Sequence, residues 1–261
     1  MIDVIVPVYN QENVVEKLLE SLHNQSFKNF RVIIGDDKST DNTLKTIETS
    51  RFSKKLNLIL IKNKRNLGVT KNCDKLLDYS MKTSSKYILF TAGDDFLDSK
   101  TIEMKIEALE NNEDAVMVGS KTFLVDINNE ITGELDQRYE HDQVGNLNWV
   151  KHLNIWGTGG IVWRKSMINF YFDERLKWAS DFLFLVQNVS VNKVLFINKH
   201  LYYYRKSENS ITINKKTKTK IQKDIFKSYL ILLLDLKTNK IAVLFGLFNL
   251  ILKKIFNIIK G

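Results

Sequence analysis

Short β-branched runs alternate with stretches of helical periodicity through the first two-thirds of the chain, the pattern of crossover units on a mostly parallel sheet. Ile2-Asp3-Val4-Ile5-Val6-Pro7-Val8 reads as a strand, and Val14, Val15, Leu18, Leu19 and Leu22 line one face of the helix after it. Residues 30–34 form a second strand that ends at Gly35-Asp36-Asp37, and Ser39-Thr40-Asp41-Asn42 offers oxygens to cap a helix starting near Asn42. A third strand over 56–61 leads through Asn66-Leu67-Gly68 into a helix carrying Leu76, Leu77 and Met81. A fourth strand over 87–91 ends in Gly93-Asp94-Asp95, and a helix over 99–111 and a strand over 115–118 follow.

There the repeat stops. Residues 119–165 combine a hairpin around Asn128-Asn129, a loop rich in Asp, Gln and Asn, and the glycine cluster Trp156-Gly157-Thr158-Gly159-Gly160 ahead of the strand Ile161-Val162-Trp163. A helix over 179–189 and a strand over 194–197 come next. From Lys215 onward Ile221, Ile225, Phe226, Tyr229, Leu230, Leu233 and Leu236 recur at helical spacing with lysines between them. The longest apolar stretch, 241–252, would cover roughly 18 Å as a helix against the ~30 Å of a bilayer core, so a spanning helix is not expected. Met1-Ile2-Asp3 runs straight into a strand without the basic and apolar regions of a signal peptide, so export is not expected either.

Charge sharpens this division. The 261 residues carry 39 Lys and Arg against 30 Asp and Glu, a net +9. Residues 1–198 hold 25 basic and 27 acidic side chains, whereas 199–261 hold 14 and 3, so the excess belongs to the tail. Nucleic-acid binding is not expected, because the aromatic residues are not interleaved with the lysines as stacking platforms. A single cysteine, Cys73, excludes an intrachain disulfide and reads as a small core side chain rather than a reactive thiol. The four histidines (His23, His141, His152, His200) show no zinc-ligand spacing; His141 beside Glu140 and Asp142 is a loop histidine, with a role in acceptor binding as the alternative.

Candidate chemistry sits where strands end. Asp36-Asp37 and Asp94-Asp95 follow two strands whose carboxyl ends should face one crevice, the ligand-binding edge of open α/β sheets. Helix capping explains any single one of these residues more readily than both pairs. Neither a Gly-x-Gly-x-x-Gly after the first strand nor a P-loop occurs. A carboxylate-rich phosphate site needs a bridging divalent cation with oxygen ligands, Mg²⁺ or Mn²⁺.

Val4-Ile5-Val6-Pro7-Val8-Tyr9-Asn10, Ile33-Ile34-Gly35-Asp36-Asp37-Lys38-Ser39-Thr40-Asp41-Asn42-Thr43, Asn66-Leu67-Gly68 and Gly93-Asp94-Asp95 together resemble, in this order, the signature of family 2 glycosyltransferases with the GT-A fold. The likeness covers roughly residues 1–210 and implies a catalytic domain with a nucleotide-sugar half (1–118) and an acceptor half (119–210), followed by a basic amphipathic tail (211–261). It implies that Pro7, Tyr9 and Asp37 cradle the base of a nucleotide sugar, that Lys71 approaches the nucleotide, and that Gly93 and Asp94 belong to the "DxD" element. Asp94 and Asp95 would hold Mn²⁺ or Mg²⁺ on the donor diphosphate, and Arg205 would meet that diphosphate.

The chain departs from the usual pattern at Ala92, where the first Asp of the element stands in relatives, and at Ser207, where a His is frequent. In Trp178-Ala179-Ser180-Asp181-Phe182 the resemblance implies Asp181 as the general base of one inverting displacement; a carboxylate in a first helical turn also interacts with the helix dipole. Trp156, Gly159 and Gly160 would lie under the acceptor, with a plain turn as the alternative.

The resulting expectation is an inverting, metal-dependent transferase of the hexosyl type. It would move a sugar from a nucleotide donor, a UDP-sugar in first place, to a glycan or lipid-linked glycan in cell-surface polysaccharide synthesis. The tail would hold it on an anionic membrane at the cytoplasmic face; packing on the catalytic body or on a second copy of the chain are the alternatives, and the last leaves a homo-oligomer open. A sugar nucleotidyltransferase is the competing enzyme class, although Tyr9-Asn10-Gln11-Glu12-Asn13 is not its Gly- and Arg-rich loop. A sugar-nucleotide-binding membrane subunit that has lost catalysis is the non-enzymatic alternative.

Overall fold

The β-branched runs form four neighbouring parallel strands in the order β3-β2-β1-β4: β1 (Ile2–Val8), β2 (Phe30–Asp36), β3 (Leu58–Lys62) and β4 (Tyr87–Phe90). The structure, a computed structural model, describes residues 1–135, 159–189, 192–206 and 215–234. Trp156, His141, His152, Ser207 and the apolar stretch 241–252 lie outside the described residues.

Helices α1 (Val15–His23), α2 (Thr43–Thr49) and α3 (Val69–Met81) make the crossovers. Alternate residues of β1 serve two cores, as expected of a parallel strand covered on both faces. Ile2, Val4, Val6 and Val8 pack with Leu18, Leu19 and Leu22 of α1, whereas Ile5 joins Ile33, Leu76, Leu77 and Ile88. Because the chain runs outward from β1 to β3 and then returns to β1's other side, the strand order reverses at β1. Ligands bind outside the carboxyl ends of strands at such a reversal. In the observed register Val8 pairs with Asp36 and Ile5 with Phe90, which brings the tails of β1, β2 and β4 to one edge.

Beyond β4 the sheet becomes mixed. β5 (Phe96–Leu97), α4 (Thr101–Glu110), β6 (Ala115–Val125), β7 (Ile131–Glu134), β8 (Val162–Arg164), α5 (Ser180–Val189) and β9 (Lys193–Arg205) complete the body. The order continues β4-β8-β6-β9-β5, with β8 antiparallel to both neighbours, β6 and β9 parallel, and β5 antiparallel to β9. The expected parallel character therefore holds for the first half and for the β6–β9 pair. The β6–β7 hairpin turns at Asn129, whose φ of 70° is tolerated best by Asn and Gly.

The last described element is α6 (Lys215–Leu234), the first part of the expected tail. Tyr229 and Leu232 bury one face of it against Leu176, Ala179, Phe182, Leu183 and Val186 of α5 and the segment before it. Phe226, Leu230 and Leu234 remain exposed on another face. No described helix is long and apolar enough to cross a membrane.

Candidate active site

The loops after β1 and β2 are stitched together by polar side chains. Asn10, at a φ of 52°, donates from Nδ2 to Thr40 Oγ1 (3.2 Å) and accepts from Thr40 N (2.8 Å), while Asn10 N donates to Ser39 Oγ (3.1 Å). Asp41 accepts from Glu12 N (3.2 Å) and Thr43 N (2.9 Å), and Glu12 accepts from Asn42 N (2.7 Å). Partial burial raises the Asp41 carboxyl, but the hydrogen bonds from Thr43 and Glu12 outweigh it and leave the group below its ordinary value. The Ser39–Asn42 segment thus supplies an oxygen expected of it, with Asp41 rather than Asn42 bonding the first N–H of α2, that of Thr43.

Pro7 lies within β1 opposite Gly35, and Tyr9 projects from the strand's carboxyl end, 44% exposed. Asp37 is buried, and its carboxylate accepts from Asn63 Nδ2 (2.9 Å), Leu67 N (2.8 Å) and Gly68 N (2.8 Å). It fixes the Asn66-Leu67-Gly68 turn, where Gly68 adopts a φ of 85° that a side chain would strain. Asn63 also donates to Asn72 Oδ1, and Asn72 in turn donates to Gly35 O, so β2, β3 and α3 are locked at this edge.

Asp94 and Asp95 separate sharply. Asp95 is 3% exposed; its Oδ2 accepts from the Tyr202 hydroxyl and its Oδ1 from Arg205 N (2.8 Å). Burial, then the adjacent Asp94 charge, pushes its carboxyl well above the ordinary range, although both hydrogen bonds oppose this. Beside the implied role of Asp95 as a cation ligand stands a structural one: each of its oxygens accepts one bond from β9, which makes Asp95 the anchor of its segment. Asp94 accepts no hydrogen bond from another described residue, and burial raises its carboxyl against the pull of the Arg205 charge.

Arg205 has a structural engagement as well. Rather than facing open crevice, it is 2% exposed and donates to Asp94 O (2.8 Å), Asp126 O (2.5 Å) and Asn129 Oδ1 (2.6 Å), joining the β6–β7 hairpin to the Asp94 loop. The glycines also have a structural cause. A Cβ on Gly159 would stand 2.7 Å from the Tyr202 hydroxyl, and one on Gly160, whose φ is 72°, would stand 2.6 Å from the Tyr202 ring. Contact with Tyr202 by itself accounts for their lack of a side chain. Gly93 is required for a similar reason, since a Cβ there would meet Gln11 Oε1 at 2.0 Å and Val8 Cγ1 at 2.6 Å.

Helix α3 joins this edge to Asp181. Gly68 N, just before the helix, bonds Asp37, and Thr70 Oγ1 lies 3.0 Å from Ser180 Oγ and donates to Leu176 O (3.2 Å). Phe172 N donates to Asp74 (3.1 Å), and Lys71 forms an exposed ion pair with Glu174 (2.8 Å). Asp181, half-buried in the first turn of α5, accepts from Phe182 N (2.8 Å). Burial raises its carboxyl above the ordinary range, with that hydrogen bond working the other way. Asp181 and Asp37 both act electrostatically on the Cys73 thiol, which burial pushes up to about 12. Cys73 is an inert core residue, as expected.

Two positioning residues escaped the sequence reading. Tyr202 sits in a Tyr-Tyr-Tyr run that gives no local hint of which ring turns inward. Lys105 is fully buried and donates to Gly160 O; burial pulls its amine down to about 7. Its signal was present, because Lys105 falls at i+3 from Ile102 and i−4 from Leu109, on the buried face of α4.

Comparison with known proteins matches this arrangement. The family model described as glycosyl transferase family 2 matches residues 3–177. The poly(ribitol-phosphate) β-N-acetylglucosaminyltransferase TarS of Staphylococcus aureus is 28% identical over 209 residues, 77% of this chain and 35% of TarS, so the chain spans about a third of that relative. The crystal structure of TarS 1–349 in complex with UDP superposes with a TM-score of 0.72 at 21% identity, covering 96% of this chain and 70% of that one. WfgD of Escherichia coli, a UDP-Glc:α-D-GlcNAc-diphosphoundecaprenol β-1,3-glucosyltransferase, is 26% identical over 256 residues, 96% of this chain and 92% of its own. The mannosyltransferase PcManGT of Pyrobaculum calidifontis, solved with GDP-Man and Mn²⁺, shares the fold at a TM-score of 0.68 and 13% identity, over 95% of this chain and 69% of that one. The ordered strand-end motifs, the GT-A sheet and the match over 3–177 agree: this chain belongs to glycosyl transferase family 2 and is a transferase.

Proposed function

We propose that the protein is an inverting, cation-dependent glycosyltransferase that moves a sugar from a UDP-sugar to a glycan or lipid-linked glycan in cell-surface polysaccharide synthesis. The observation that carries this reading is the double attachment at the start of α3. Gly68 N is held by Asp37 on the donor side, while two residues later Thr70 meets Ser180, next to Asp181. A few residues of backbone thereby fix the distance between the crevice at β1, β2 and β4 and the proposed base. Such fixed geometry is what a single in-line displacement requires. By their names, TarS transfers N-acetylglucosamine to poly(ribitol-phosphate) and WfgD moves glucose from UDP-Glc to a GlcNAc-diphosphoundecaprenol, which supports a donor and acceptor of this kind.

Pro7, Tyr9 and Asp37 would border the nucleotide base, with Asp37 acting mainly through the turn it holds. Lys71 would approach the nucleotide from the exposed side of α3. A divalent cation fits the donor set at one point: the half-buried Asp94 carboxylate accepts no hydrogen bond from another described residue, the state that an oxygen-ligated cation relieves. Mn²⁺ or Mg²⁺ would be held there largely by the donor's own oxygens and water, and would neutralise charge on the departing diphosphate. Asp181 would take the proton from the acceptor hydroxyl; its raised affinity for protons suits a base that must hold one after the displacement. The exposed Phe226, Leu230 and Leu234, with lysines beside them, support peripheral attachment at the cytoplasmic membrane face.

The test is a screen of nucleotide sugars with Mn²⁺, read as nucleoside diphosphate release, with free and lipid-linked glycans as acceptors. Acceptor-dependent release with an inverted anomeric product is expected. Metal-dependent donor binding with no release under any pairing would instead assign the chain a binding role.

A further inference from the structure

We propose that the cleft between the segment preceding α5 and helix α6 binds the diphosphate of a lipid-linked acceptor. An open pocket of about 250 Å³ lies there, lined by Trp178 and Asp224 together with Arg175, Lys177, Lys220, Lys223 and Lys227. That is below the size of a typical small-molecule site, which favours a compact anionic group over a whole nucleotide sugar. The inference rests on the acceptor half of the reading above and is independent of the donor half.

The cations are arranged, not merely present. Asp224 is buried and accepts from Trp178 N (2.9 Å) and Lys227 Nζ (3.3 Å), which ties α6 to the segment leading into Asp181. Asp173 holds Arg175 through Nε at 2.9 and 3.0 Å. The Lys177 and Lys220 amines lie 5.5 and 5.3 Å from the centre of a Trp178 ring. Among the described residues neither of them, nor Lys223, has a carboxylate partner. Two carboxylates therefore face five cations, an excess that an anion of charge −2 or −3 would neutralise.

Position selects the anion. Trp178 stands three residues before Asp181, on the acceptor side, whereas the donor crevice lies at the carboxyl ends of β1, β2 and β4. Phe226, Leu230 and Leu234 recur every four residues on the exposed side of α6, alongside Lys223 and Lys227. An apolar stripe flanking a cationic cleft fits an amphiphile whose diphosphate enters the cleft while its hydrocarbon follows the helix. A diphosphate ester and a phospholipid headgroup share the phosphate chemistry; the commitment here is to the acceptor's diphosphate.

Farnesyl diphosphate and inorganic pyrophosphate, titrated without divalent cation against the full chain and read by tryptophan emission, test this. Both should bind, and the double substitution Lys220→Glu with Lys223→Glu should raise both dissociation constants at least tenfold while the UDP dissociation constant in Mn²⁺ stays unchanged. Lys220→Arg with Lys223→Arg should retain binding. Equal affinity in the wild type and the Glu variant overturns the proposal, as does no binding by a wild-type protein that binds UDP. A variant that loses phosphatidylglycerol vesicles but keeps farnesyl diphosphate makes the bilayer headgroup the ligand and also overturns it. Failure of UDP binding alone would count against the donor reading and leave this measurement decisive.

Discussion

Tyr202 donates its hydroxyl proton to Oδ2 of Asp95, and the ring that carries this hydroxyl is covered by the backbone of Gly159 and Gly160. The phenol's proton affinity is pushed far up by burial and by the Asp95 charge, so it remains a donor across the physiological range. One contact therefore joins the end of β9, the loop after β4 and the glycine turn.

Tyr202→Phe should leave a buried carboxylate oxygen without its donor, at a cost of about 1–3 kcal/mol. Gly160→Ala should cost a similar ~1–3 kcal/mol, since it combines a φ of 72° with a clash at 2.6 Å. Denaturant titration checks both. In a double-mutant cycle, Asp95→Asn should be less damaging in the Tyr202→Phe background than alone; strict additivity would show that the contact is incidental.

Asp181→Asn should lower kcat by about 10²–10⁴, the range for loss of a general base. UDP affinity should be retained, because the bonds Asp181 accepts among the described residues come from backbone N–H groups in the first turn of α5, and Asn can keep them. Calorimetric UDP binding beside steady-state rates separates the outcomes. Parallel loss of both would make Asp181 a support of α5 rather than the base.

The sequence made the donor half of the fold legible and left much of the other half unread, for a physical reason. β1, β2 and α3 are local patterns, and their strand-end carboxylates follow from chain position alone. β6 and β9, in contrast, extend over 11 and 13 residues because they pair with each other across some 80 residues of sequence. Asn198, Lys199 and His200 interrupt β9's apolar run, so the strand was expected to end at 197. Asp95 and Arg205 were assigned by motif to ligand-facing roles. Nothing local to Gly93-Asp94-Asp95 could reveal that β9 returns to claim one of those two carboxylates.

Lys71 forms its ion pair with Glu174 while both side chains are about half exposed, so that pair contributes little to stability. Lys71→Ala should change unfolding free energy by no more than about 0.5 kcal/mol. The same substitution should raise KM for the nucleotide sugar several-fold with a smaller effect on kcat. Glu174→Gln, which frees the amine, should leave KM equal or lower. An unchanged KM in Lys71→Ala would remove Lys71 from the nucleotide site.

The buried ionisable groups predict opposite pH dependences on the two sides of neutrality. Asp94, Asp95 and Asp181 have carboxyls raised above their unfolded values. Between the unfolded and folded values the native state binds more protons, so stability falls as pH rises through that window and the penalty is complete above it. Lys105 is the reverse case: with its amine near 7 in the fold against 10.5 ordinarily, the unfolded chain binds more protons in between, and stability rises with pH across that range. Thermal midpoints measured from pH 4 to 10 should accordingly dip near neutrality. Lys105→Met should flatten the alkaline rise without touching the acid limb. With UDP present to supply the remaining oxygen ligands, Mn²⁺ should raise the midpoint at pH 7 more than at pH 4, where Asp94, whose carboxyl is raised, attracts it less, and Asp94→Asn should abolish that difference. A metal response that is the same at both pH values, or that survives Asp94→Asn, would place the cation somewhere other than at Asp94.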